Sequence, residues 1–121
     1  MSETRNCATG ERGELEAATA SDVTGLVDVQ EGGIVSRTLA KRPGGTVTLF
    51  GFDAGQALSE HSAPFDALVQ VLVGRLRLRV GGRDVDAGAG QLVLMPANVP
   101  HALEALDPTV MLLTMLRGQE G

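Results

Sequence analysis

The stretch GQALSEHSAPFDALVQVLVG, residues Gly55 to Gly74, is framed by glycines and holds one histidine, one proline and a dense apolar run. ALVQVLV has strand length, is rich in Val and Leu, and stops at Gly74, which reads as a β-strand closed by a breaker. Its one polar residue, Gln70, has a parity opposite to Ala67 and points to the outer side of the sheet. Upstream, Glu60 must face away from His61 on any strand that carries both. Pro64 and Phe65 then interrupt the alternation, so parity leaves the direction of Asp66 open.

The same grammar extends outward from this segment. Short β-type runs separated by Gly, Pro and Asp begin with GLVDV and GIVSRTLA, and GTVTLFGF follows the Pro43-Gly44-Gly45 turn. Beyond Gly74 come RLRLRV, QLVLM and TVMLLTML. RLRLRVGGRDV is the sharpest local signal: alternation sends Leu76, Leu78 and Val80 inward, and Gly81-Gly82 supplies the positive φ angles of a two-residue hairpin. Many short strands without a long helix predict an all-β, mostly antiparallel sandwich or barrel. Residues 21–121 form this single domain. Residues 1–20 hold only Met1 and Leu15 as large apolar side chains and read as a flexible N-terminal tail.

QLVLM and TVMLLTML are apolar at both parities, so both faces need cover. One face fills the barrel. Pairing of two copies into a homodimer is the economical cover for the other, and folding of the N-terminal strands over it is the alternative.

A chain of 121 residues is long enough for one core, and its net charge of −5 argues against nucleic-acid or anionic-membrane partners. Arg75, Arg77, Arg79 and Arg83 read as a solvated strand face. A single cysteine, Cys7, allows no internal disulfide and points to a reducing, cytoplasmic compartment. No apolar run reaches the ~18 residues of a membrane span, and the N-terminus lacks a signal peptide's apolar core. With Phe50, Phe52 and Phe65 as the only aromatics, a base-stacking or sugar-stacking platform is unsupported.

Gly55 to Gly74 resembles the first motif of the cupin superfamily: Gly, five residues, His-x-His, three or four residues, Glu, six residues, Gly. Gly90 to His101, GQLVLMPANVPH, resembles the second motif, with Gly90, Pro96 and His101 in register and Asn98 in place of a glycine. Asn tolerates the left-handed backbone, so that exchange is mild. The resemblance, closest to compact single-domain cupins of the RmlC-like, conserved-barrel type, implies a cupin jelly-roll β-barrel. It also implies a divalent metal held by three His and one Glu, of which this chain keeps only His61 and His101. Ala63 stands at the second His and Ala67 at the Glu.

Two histidines alone predict at most a weakly bound divalent ion (Ni, Zn, Fe or Mn), with Asp66 the first candidate for a third ligand. The leading expectation is a small molecule or anion bound in the barrel by His61 and His101 against apolar walls that include Phe50. A metal-dependent oxygenase or isomerase on the same residues is the second reading. A non-catalytic sensor or interaction module is the third.

Overall fold

The structure, a computed structural model, describes residues 13–118. Nine strands follow in order: β1 Ile34–Arg42, β2 Gly45–Phe52, β3 Ala57–His61, β4 Asp66–Val73, β5 Arg75–Val80, β6 Arg83–Gly88, β7 Leu92–Met95, β8 His101–Ala105 and β9 Thr109–Leu116. They form a five-stranded sheet in the order β1-β2-β9-β4-β7 and a four-stranded sheet in the order β3-β8-β5-β6. Every pairing is antiparallel, and the two sheets enclose one core as a jelly-roll barrel. The all-β fold expected from the sequence is the fold found.

Alternation decides which side chains meet inside. Across the larger sheet, Phe50, Met111 and Val71 form one inward row, and Met115, Ala67 and Met95 form another. From the smaller sheet Leu76, Leu78, Ala87, Leu103 and Ala105 point back at them, all buried. The β5–β6 hairpin turns through Gly81 and Gly82 at φ +59° and +81°, as the glycine pair predicts. Gly74 is more constrained: its φ is +90°, and a Cβ there would meet the backbone of Pro108 and Thr109. On the outer face of the smaller sheet, Arg77 and Arg79 pair with Asp86 and Asp84, so two of the four arginines of the basic stripe are paired by the neighbouring strand of their own hairpin.

GLVDV departs from expectation. It makes no strand; Val23–Leu26 is a 3-10 turn, and the residues after it run irregularly to β1. The apolar positions that suggested a strand are used sideways. Val23, Leu26, Val27 and Val29 pack on Leu39, Leu49 and Val110, forming a second core on the outer face of the larger sheet. The chain itself thus covers the β1, β2 and β9 part of that face. Leu92 and Leu94 of β7 remain 59% and 54% exposed.

Of the tail expected over residues 1–20, residues 1–12 lie outside the described part. Next to them, Leu15 donates its N–H to the Leu39 carbonyl, and the Glu14 carboxylate accepts from Lys41 N–H and Arg42. Among the described residues no helix is long and apolar enough to cross a membrane.

Candidate functional site

β3 ends and β8 begins at the same mouth of the barrel, and there His61 pairs with His101 across the two strands. The loop after β3 is held to the loop before β8: Asn98 N–H donates to the Ala63 carbonyl at 2.7 Å, and Ala97 N–H to Asp66 Oδ1 at 2.9 Å. Asn98 sits at φ +65°, the left-handed conformation expected where the motif carries glycine. The motif residues thus fix two loops, and the loops fix the two imidazoles.

The rings lie 4.4 Å apart between centroids with their planes at 70°. Their Nε2 atoms are 3.3 Å apart. Behind each ring, Nδ1 meets a backbone carbonyl: Ser59 for His61 at 3.0 Å and Val99 for His101 at 3.3 Å. A carbonyl only accepts, so each Nδ1 carries the proton, and in the neutral state each Nε2 presents a lone pair. Two lone pairs therefore converge with no donor between them. Such a pair accepts a proton, a ligand O–H or N–H, or a cation.

Burial holds His101 below the ordinary imidazole value; the charge of His61 lowers it further, while its bond to Val99 opposes both. His101 is 8% exposed, whereas His61 stands open to solvent at the rim. Behind the pair lies a cavity of about 210 Å³ walled by Phe50, Leu58, Met95, Leu103, Met111, Leu113 and Met115. Among the described residues the two imidazoles are the only polar side chains lining it. On the same inward row as Met115, the buried Thr46 hydroxyl has no hydrogen-bond partner among the described residues.

His61, His101 and Phe50, singled out from the sequence, meet around this one cavity. Asp66 does not join them there. Its carboxylate is exposed and accepts from the Ala97 amide, tying the two loops together. Gln70 falls in the row with Leu112 and Leu92 on the outer face, and Ala67 points inward. Met95 and Met115 escaped the sequence reading. They flank Ala67 on neighbouring strands, an adjacency that only the strand register reveals.

The divalent metal that the motif resemblance implies can be tested against these residues. Two nitrogens bonded at about 2.0–2.1 Å to one tetrahedral ion lie roughly 3.3 Å apart, so the imidazole spacing suits neighbouring ligands. The rest of the donor set does not. Among the described residues no group of three or more His, Cys, Asp or Glu converges anywhere. Among the described residues no carboxylate lines the cavity to balance a double charge in an apolar setting. The residues present do not fit the three-His, one-Glu divalent site that the resemblance implies.

The sequence profile described as "Cupin domain" matches residues 48–116, from β2 through β9. Among solved structures, a conserved protein of unknown function from Streptococcus pyogenes is 33% identical, with 89% of this chain and 95% of that one covered and a TM-score of 0.84. A "Cupin 2 conserved barrel domain protein" from Leptotrichia buccalis is 38% identical over 78% of this chain at a TM-score of 0.74. This chain spans 46% of that protein's length. A cupin superfamily protein from Desulfitobacterium hafniense, at 23% identity and a TM-score of 0.81, covers 87% of this chain and 96% of its own and shares the fold. No match is found among curated proteins.

Proposed function

The chain belongs to the cupin family, and from that premise we propose that it binds a small, largely apolar molecule bearing a hydroxyl, such as a phenol or alcohol, in the barrel mouth. One observation carries this reading: an apolar cavity whose only polar lining among the described residues is a pair of imidazoles with converging Nε2 atoms. Apolar walls supply affinity and the few polar atoms supply orientation. Burial disfavours the charged form of His101, so that ring accepts from an O–H before it attracts an anion. Protonation of His101 at lower pH adds a positive charge, and the same pocket then takes a carboxylate.

Calorimetric titration of the full chain with phenol, benzoate and toluene tests the reading. Phenol is expected to bind and to lose affinity in His101→Ala, benzoate to bind only on acidification, and toluene to bind less well than phenol. Toluene binding as tightly as phenol would remove the imidazoles from ligand recognition. No binding by any of the three would end the proposal.

We further propose a reducing, cytoplasmic setting and a homodimer in which a second copy covers Leu92 and Leu94. The support is that β7 is an edge strand with both leucines bare, next to a face that the chain covers elsewhere with its own residues. Sedimentation should give about twice 12.6 kDa at micromolar concentration, and Leu94→Asp should give a monomer.

A further inference from the structure

We propose that the ligand of the barrel mouth carries a second hydrogen-bonding group, at the end away from its hydroxyl, and that Thr46 on β2 receives it. The inference rests on the reading that this cavity binds an organic molecule, and it adds the class: an apolar body with a polar group at each end. Among the described residues two threonines are buried, and they differ. The Thr109 hydroxyl, at the start of β9, accepts from the Arg75 N–H at 3.1 Å and donates to the Asp107 carbonyl at 2.7 Å. Thr46 is only 8% exposed, yet its hydroxyl has no hydrogen-bond partner among the described residues. A buried hydroxyl left unpaired costs the fold its lost hydration. Valine would fill the same space without that cost.

Strand register places that hydroxyl. Thr46 pairs with Met115 of β9, and both fall on the inward row that continues through Ala67 to Met95. Met115 lines the cavity, and Thr46 stands one strand beyond it. Methionine has three rotatable side-chain bonds and packs adaptably, so Met115 can turn aside and join the Thr46 hydroxyl to the cavity without backbone movement. His61 and His101 belong to the smaller sheet and Thr46 to the larger, so the two polar features stand on opposite walls. A hydroxyl offers both a proton and lone pairs, and Thr46 therefore suits a donor or an acceptor on the ligand. A site that hydrogen-bonds a ligand group rejects the analogue lacking it far more sharply than an apolar wall does. Thr46 would thus set specificity, while the apolar walls set affinity.

The test compares two ligands of similar size, para-hydroxybenzyl alcohol and para-ethylphenol, by calorimetric titration of the full chain and of Thr46→Val. The pair differs by one hydroxyl, at the end away from the phenol. Relative to para-ethylphenol, the benzyl alcohol should lose about tenfold in affinity in Thr46→Val. Thr46→Ser keeps the hydroxyl and should hold the parent's ratio within about twofold. Urea unfolding gives a second readout: Thr46→Val should have an unchanged or raised midpoint, because it removes an unpaired hydroxyl and keeps the shape. A lowered midpoint, or failure of Thr46→Val to fold, would show that the fold itself bonds the hydroxyl and would overturn the proposal. A ratio that Thr46→Val leaves unmoved, or that Thr46→Ser shifts as far, would also overturn it. Binding of both phenols with an unmoved ratio would sink this inference alone, whereas binding of neither would remove the pocket reading with it.

Discussion

At one end of the barrel Phe52, Leu76, Ala87 and Ala105 are each 0–1% exposed. At the other end Phe50, Leu58, Met95 and Met115 stand around about 210 Å³ of empty space, with His61 and His101 at the rim. Both ends are built by the same strands: Phe50 and Phe52 are two residues apart on β2, with ring centroids at 5.8 Å. Packing energy explains the solid end. The hollow end forgoes that energy and carries polar nitrogens, a cost to stability that makes sense where something else must fit.

The largest expected effect contrasts the two phenylalanines. Phe52→Ala should cost about 3–5 kcal/mol in denaturant unfolding, because its neighbours cannot collapse into the space left. Phe50→Ala should cost about half as much, since it already borders a void and enlarges it. Equal losses would show that the mouth is as tightly built as the far end. Gly74→Ala comes next, at about 1–3 kcal/mol for an alanine forced to φ +90° at the join of β4 and β5. A Cβ there would also collide with the Pro108 carbonyl oxygen, so some backbone shift must accompany the loss.

Smaller, and specific to the hollow end, is a pH effect. His101 in the folded chain binds a proton less readily than in the unfolded chain, whose imidazole titrates at about 6.5. The unfolded state therefore holds more protons below that value. His101 contributes stability that is present above about pH 6.5 and is lost as pH falls through its lower folded value. Urea midpoints at pH 7.5 and 5.5 should show a drop in the parent that His101→Gln reduces. A steeper drop in the variant would reverse the assignment. The smallest effect belongs to His61→Leu: at an exposed rim position it should change stability by no more than about 0.5 kcal/mol while abolishing the imidazole pair.

Much of this was legible in the sequence because it depends on local chemistry. Alternation in RLRLRV, the Gly81-Gly82 turn and the apolar runs of β2, β4, β7 and β9 each specify a strand with little help from the rest of the chain. The histidines were legible through their places in two motifs. By contrast β3 and β8, with ALSEH and HALEA, carry few β-branched residues and no long apolar run. They are strands because they pair with each other, and β8 with β5. GLVDV failed in the opposite sense: its apolar residues looked like a strand, yet they serve as a pad on the outer sheet. Asp66 was unreadable because Pro64 and Phe65 put it at a loop end. The methionines flanking Ala67 lie on strands distant in sequence, so their adjacency follows from register alone.

The binding site rests on two imidazoles whose Nε2 atoms face each other at the mouth of an apolar cavity. Long-range ¹H–¹⁵N correlation spectra report the proton on each ring nitrogen directly, and the chain has only two histidines to assign. At pH 8 both rings should appear as the Nδ1–H tautomer with Nε2 unprotonated, and both Nε2 signals should move when phenol is added. A proton resident on Nε2 of either ring at that pH, or Nε2 signals indifferent to phenol, would contradict the acceptor pair on which the binding site has been built.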